Sequence, residues 1–310
     1  MGRRTKHITI RQQQNQHTKT KKDSTAVIRK FHELCKKLYT LRSATIPKGG
    51  HKATQATALI EEDFVSMPTD SAQIATVKAE LRAMGGLAAY QEASLHNELR
   101  QPCTRATIKW VRQHLYPLIH PPAAETTAPE SPAAAPPGAK RPRQRQVPLR
   151  LLDVGALTNH WSGFGDLTPR SIDLNPRHPT VEQGDFLQEP LPATPDSPAF
   201  YDAIVHSLVL NTVPDPRARG RMLYHAARLL RPGRGLLFVV LPRACLDNSR
   251  YLTLAHLQAA LMRPLGLTLV SQRSSPGLTY TLLLGGVKHN NFAIILNLTR
   301  PEVDALSIGE

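Results

Sequence analysis

Three cysteines, Cys35, Cys103 and Cys245, are all that the 310 residues contain, and no two of them form a Cys-x-x-Cys pair. Such spacing excludes a disulfide framework and a thiolate zinc site, so no metal is expected and a reducing compartment suits the chain. No apolar run approaches the roughly 20 residues that a membrane-spanning helix needs, so no membrane segment is expected. The first residues are polar, without the apolar stretch of a secretory signal, and Lys6 stands where a myristoylation signal wants Ser or Thr. Acid is scarcest at the N-terminal end: residues 1–52 hold 14 Lys and Arg against 2 acids, Asp23 and Glu33, a net +12 of the formal +15.

A local cation excess of this kind suits nucleic acid, because each neutralised phosphate releases condensed counterions without any sequence reading. The clusters Arg3, Arg4, Lys6 and Lys19 to Lys22 also fit a nuclear import signal or a solvated tail. Residues 1–22 are expected to be a basic disordered arm, and 23–120 a small helical region. Residues 121–148 contain 8 Pro and 7 Ala in 28 positions, with no hydrophobic period, so they read as an extended linker and the domain boundary. Its end, Lys140 to Arg145, is a second basic cluster.

Upstream of the linker, Val27, Phe31, Leu34, Leu38 and Leu41 alternate spacings of four and three, which places them on one helical face with Ser24 as cap. Further helices are predicted over Ser71–Met84 and Thr104–Leu118, broken at Gly85 and Gly86. After the linker the period changes. The apolar runs 149–155, 170–174, 201–210 and 235–242 read as buried parallel strands. Arg217–Leu230 reads as a crossover helix closed by Pro232 and Gly233. A helix over Tyr251–Pro264 and strands at 267–272, 278–284 and 292–297 complete an α/β, doubly wound sheet over 149–300. Its ligand belongs at the carboxyl ends of the strands.

At the first of those ends, Asp153-x-Gly155 offers a carboxylate followed by a residue against which a ligand can lie close to backbone amides. Twenty residues on, Asp173 ends the second strand, where an acid can accept from both hydroxyls of a ribose, or form a turn before Asn175-Pro176. This spacing fits a dinucleotide or S-adenosyl-L-methionine. The loop DVGALTNHWSGFG has no compact Gly-x-Gly-x-x-Gly and so makes a poor cradle for a pyrophosphate, which S-adenosyl-L-methionine does not have. Gln183-Gly184-Asp185-Phe186 is placed at the end of a third strand, with Asp185 able to accept from an adenine amino group and the Phe186 ring able to lie on the base. The other reading of that segment is a surface turn.

These elements, DVG, IDLNP, GDF, FYDAIVHSLVLNTVPDP and LLRPGRGLLFVVLP, resemble class I methyltransferases with their Rossmann-like sheet. Within that class the chain is similar to the fungal 25S ribosomal RNA adenine-N(1) methyltransferases. LLDVGAL, IDLNP, SLVLN, LPRACLDNSRY, NNFAIIL, the YQEAS segment at 90–94 and the basic N-terminus carry the likeness. The resemblance implies S-adenosyl-L-methionine as cofactor and places its contacts on Gly155 and Asp173; Asp153 and Asp185 are further cofactor-binding candidates from their places at the strand ends. It also implies ribosomal RNA or a pre-ribosomal particle as partner, and the nucleus and nucleolus as location. The long linker and the segment LHNELRQPCTRATIKW (95–110) depart from the family's pattern.

Methyl transfer needs two reactants held in line rather than a covalent nucleophile. Adenine N(1) already carries a lone pair but lies in the Watson–Crick edge, so the base must be unpaired or flipped. Asn211, after the fourth strand, is placed to hold the base edge or to cap the turn before Val213-Pro214. His206 reads as a packed strand residue, and Cys245 lacks the Pro-Cys setting of a methylating nucleophile. Two other functions fit the same sheet. One is a methyltransferase for a different substrate; the other is a cofactor sensor that binds without transfer, as metazoan relatives resemble.

Overall fold

The computed structural model describes residues 10–45, 65, 67–100, 102–120, 147–194, 196–248, 253–257 and 264–285. Four helices precede the sheet: α1 (Ile10–Thr45), α2 (Ala72–Ala83), α3 (Gly86–Arg100) and α4 (Pro102–Ile119). The sheet strands are β1 (Leu149–Val154), β2 (Leu167–Asp173), β3 (Glu182–Gln183), β4 (Ala203–Ser207), β5 (Leu236–Pro242), β6 (Leu267–Ser274) and β7 (Leu278–Gly285). α5 (Pro216–Leu229) crosses between β4 and β5, and the short α6 (Ala244–Asp247) and α7 (Leu254–His256) follow β5.

The strands lie in the order β3-β2-β1-β4-β5-β7-β6. β1 to β5 are parallel, and β7 runs antiparallel to both β5 and β6. This is the doubly wound α/β sheet the sequence predicts. The chain winds outward from β1 through β2 to β3, then returns to β4 on the other flank, which puts the switch point between β1 and β4. Alternating side chains of each central strand feed two cores. Leu152, Ile204, Leu237 and Val239 face α5, where Met222, Leu223, Ala226 and Leu229 cover them. Leu151, Val205, Phe238 and Tyr280 face the other way and are covered by Trp110, Val111, Leu115 and Ile119 of α4.

α4 is therefore a layer of the sheet domain, although it precedes the Pro/Ala-rich segment expected to separate two units. Trp110 meets the rings of Phe238 and Tyr280 edge-on at 5.4 and 5.3 Å. Arg112 holds both oxygens of Asp166 at 2.6 and 2.8 Å, a bidentate fork that fixes the helix to the turn before β2. Only α1 to α3 form a separate core, in which Phe31, Leu34 and Leu38 pack against Ile74, Val77 and Leu81.

Several boundaries differ from the sequence reading. α1 reaches back to Ile10, so residues 10–22, expected as disordered arm, are helical and Ser24 lies inside the helix rather than capping it. The run of Gln, Lys and Arg there has good helix propensity once a packed stripe nucleates the helix downstream. A third helix, α3, begins at the Gly85-Gly86 break: both residues have positive φ, +94° and +60°, and turn the chain directly into a new helix. β4 stops at Ser207, because Leu208 enters the left-handed region at φ 61°. The expected strand 292–297, the NNFAIIL motif, most of the linker and the cluster 140–145 lie outside the described residues.

Candidate functional site

A cavity of about 790 Å³ opens over the carboxyl ends of β1, β2 and β4, within the range of small-molecule and cofactor sites. All four carboxylate and glycine positions singled out from the sequence, Asp153, Gly155, Asp173 and Asp185, line it, as do Ser207 and Asn211. The parallel register explains the convergence. Asp153 pairs with Ser171 and Val205, and Ile172 pairs with both Val154 and Glu182, so the three strand ends stop at one level.

Gly155 turns the chain off β1 with φ +69°, and its N–H and that of Ala156 donate to the Ile172 carbonyl at 2.9 and 3.1 Å. A Cβ there would stand 2.7 Å from Val209 Cγ2. The loop therefore brings backbone, with no side chain, to the cavity wall. Asp173 is the last residue of β2, and its Oδ1 accepts from the Asn175 N–H at 2.8 Å. Burial pushes its carboxyl above the usual carboxylate range, and only that backbone N–H opposes the shift. A carboxylate held this way, without a cationic partner, matches neutral donors such as ribose hydroxyls.

The other two acids have additional duties. Asp153 is buried and its Oδ2 accepts from Trp161 Nε1 at 2.8 Å, which fastens the loop after β1 to the α4 side of the sheet. Asp185 caps the 3-10 turn Phe186–Gln188 by accepting from Leu187 N–H at 2.9 Å. Phe186 lines the cavity but is largely withdrawn into the core. It is 4% exposed and packs edge-on against His206 and His225, at 4.9 and 5.3 Å between centroids. Most of its apolar bulk belongs to the core over α5.

Asn211 caps no turn with its side chain: its Oδ1 is buried and accepts no hydrogen bond. His206 is fully buried with both ring nitrogens unpartnered, and desolvation pushes its pKa down to about 3, so it is a neutral packed residue of β4. Burial raises the Cys245 thiol, against the opposing charges of Lys36 and Arg219. Among the described residues no group of three His, Cys, Asp or Glu could hold a metal, and no helix is long and apolar enough to cross a membrane.

The sequence did not disclose the cavity's roof, which α1 and α3 supply through Phe31, His32, Tyr90 and Gln91. Phe31 and Tyr90 stack at 4.4 Å and 16°, with the His32 ring edge-on to Tyr90 at 5.3 Å. Burial pushes the Tyr90 phenol up to about 12. Gln91, 6% exposed, donates from Nε2 to the Asn175 carbonyl at 2.8 Å. Its Oε1 accepts from Asn175 Nδ2 at 3.0 Å and Arg177 Nε at 2.6 Å. Both ends of one amide thus pin the loop that follows Asp173. The signals were the apolar stripe of α1 and the YQEAS segment, neither of which says by itself what it covers.

Residues 75–294 match the profile of the family described as "25S rRNA (adenine(2142)-N(1))-methyltransferase, Bmt2". The chain belongs to this family. Two curated relatives are similar to it. The 25S rRNA (adenine(2142)-N(1))-methyltransferase of Saccharomyces cerevisiae is 29% identical over 206 residues, 66% of this chain and 52% of the relative. The 25S rRNA adenine-N(1) methyltransferase of Schizosaccharomyces pombe is 32% identical over 189 residues, 58% of this chain and 59% of the relative. The chain thus spans between half and three fifths of the length of these relatives. Among solved structures, a SAM-dependent methyltransferase of Methanosarcina mazei aligns at TM-score 0.35 and 17% identity, over 46% of this chain and 95% of that one. The 16S rRNA (adenine(1408)-N(1))-methyltransferase of Catenulisporales acidiphilia, as a W203A mutant, aligns at TM-score 0.34 and 12% identity, over 46% and 87%. The family's matched segment runs from α2 through the whole described sheet, so it holds all four predicted site residues, α3 of the roof and the α4 layer.

Proposed function

We propose that the chain transfers the methyl group of S-adenosyl-L-methionine to N(1) of an adenine in large-subunit ribosomal RNA, free or within a pre-ribosomal particle, in the nucleus and nucleolus. The observation that carries this reading is that Gly155 and Asp173, at the carboxyl ends of the adjacent strands β1 and β2 and beside the switch point, line one cavity in a chain of this family. Gly155 leaves no room for a Cβ beside Val209, so the loop after β1 lets the ligand lie directly against backbone. Asp173 has no cationic partner among the described residues and accepts from the ribose hydroxyls. Asp185 accepts from the adenine amino group. The bound cofactor supplies an electrophilic methyl group on a sulfonium.

The chain's own residues position and enclose. The adenine N(1) lone pair attacks without prior deprotonation, so no general base is assigned, and the fully buried neutral His206 takes no part in proton transfer. The roof of Phe31, His32 and Tyr90 keeps water from the reacting atoms and aligns the two partners. The cation excess of residues 1–52 supports RNA over a small-molecule acceptor.

The test is transfer of labelled methyl to large-subunit ribosomal RNA and to pre-ribosomal particles from cells lacking the protein, followed by nucleoside analysis. The expected label is N(1)-methyladenosine, abolished by Asp173→Ala with the fold retained. Tight cofactor binding with no label in either substrate would overturn the transferase reading in favour of a cofactor sensor.

A further inference from the structure

Arg29, His32 and Lys36 lie at spacings of three and four on α1, which puts them on one face of the helix, and all three line the cavity. About 10 Å of helix separates the two permanent cations. Neither Arg29 nor Lys36 forms an ion pair with any described residue, whereas Lys30, on another face of the same helix, is engaged by Glu33 at 3.4 Å and Glu80 at 3.7 Å. Arg29 and Lys36 are both solvent-exposed where they line the cavity, so they stand at its mouth, whereas Asp153, Asp173 and Asp185 each have a hydrogen-bonded partner. The side chains nearest this face place it along the cavity. His32 shares the cavity lining with Asn211, after β4, and the Lys36 charge acts on Cys245, after β5. Asp173 and Asp185 follow β2 and β3, on the opposite flank of the switch point. Tyr39, one turn beyond Lys36, donates to Asp215 Oδ1 at 3.0 Å and fixes α1 over the β4 side.

We propose that Arg29 and Lys36 form an oxyanion subsite on the acceptor side of the cavity, which grips the phosphodiester flanking the target adenosine. This rests on the reading of the chain as an RNA methyltransferase. The subsite explains why the basic N-terminal segment continues into a helix laid across the cavity: the same helix that closes the roof also carries the charges that register the RNA strand. Phosphate contacts of this kind position the nucleotide and leave the base to be read deeper in the cavity. The carboxylate of the cofactor's methionine is the other oxyanion that could reach these side chains, and the test separates the two.

The experiment uses the full chain saturated with S-adenosylhomocysteine, so that the cofactor site is filled. Binding of a single-stranded oligoadenylate is compared with that of the same oligomer carrying uncharged methylphosphonate linkages on both sides of its central base. The wild type is expected to prefer the charged oligomer about two- to fivefold, the upper part of the range that an exposed ion pair supplies. Lys36→Gln and Arg29→Gln should each remove most of that preference while S-adenosylhomocysteine affinity stays within twofold. Lys37→Gln, the same charge change on the neighbouring exposed residue, should retain it. The proposal is overturned if Lys36→Gln keeps the preference, if Lys37→Gln loses it equally, or if the wild type shows none. It is also overturned if S-adenosylhomocysteine affinity falls instead, which would assign the cations to the methionine carboxylate. Methyl transfer by the wild type, measured separately, reports on the enzyme reading without entering this comparison.

Discussion

Gln91→Leu is the substitution that isolates the roof's grip on the cofactor site. Leucine keeps the buried volume next to Asn175 but removes three hydrogen bonds, to the Asn175 carbonyl, Asn175 Nδ2 and Arg177 Nε. A neutral bond contributes about 0.5–1.5 kcal/mol net and one to a guanidinium about 1.5–3 kcal/mol. The freed groups sit in a half-buried loop and regain water when it loosens, so only part of that sum is lost. We expect about 1.5–3 kcal/mol to appear in cofactor affinity, a roughly 10- to 100-fold rise in Kd for S-adenosyl-L-methionine. The cause is that Asp173 must then be re-ordered on each binding event. Calorimetric titration measures it directly. Because the clamp acts on positioning and not on the reacting atoms, kcat at saturating cofactor should fall less than about threefold. Gln91→Glu keeps both accepting contacts and loses only the donated one, so it should recover part of the affinity. A Kd within twofold of wild type in Gln91→Leu, or a loss of kcat at unchanged Kd, would refute the reasoning.

Three further outcomes follow from the same geometry. Gly155→Ala places a Cβ 2.7 Å from Val209 Cγ2 at φ +69°, so thermal denaturation should show a loss of about 1–2 kcal/mol from the left-handed backbone alone, with cofactor affinity down at least tenfold. His206 has its pKa lowered to about 3 by burial. Its contribution to stability is therefore complete above the unfolded value near 6.5 and is lost as pH falls from there toward 3. His206→Leu should flatten that part of the stability profile in urea titrations at several pH values, and a profile identical to wild type would show that His206 is already solvated. Cys245→Ala should keep transfer within about threefold, since burial holds the thiol protonated and no covalent intermediate is required; complete loss of methyl transfer would restore it as a nucleophile.

The sheet was legible because buried parallel strands are continuous apolar runs, and because a loop glycine and an acid 20 residues apart report the ends of two of them. Gly155 and Asp173 could be placed before any coordinates, since each is dictated by what a ligand needs at a strand end. Asp153 and Asp185 were singled out for the same reason and line the same cavity, and each serves the fold, one holding Trp161 and the other capping a turn. That double use cannot be read from position alone. Phe186 shows the limit most plainly: an aromatic after a strand suits a base or a core equally, and only the neighbouring His206 and His225 decide it. The amphipathic stripes of α1 and α4 were read as helices, but an apolar stripe states that something is covered without saying what. α3 went unread because the glycine pair before it signals a stop, while here it serves as a pivot between two helices.

The position of α4 changes what the Pro/Ala-rich segment is. Trp110, Val111 and Leu115 close one face of the sheet from a point earlier in the chain than β1, so residues 121–148 join two layers of one domain and not two domains. The same geometry forbids the cut that composition suggests: a fragment starting at Leu149 would bare Phe238 and Tyr280 to water, and would aggregate rather than fold.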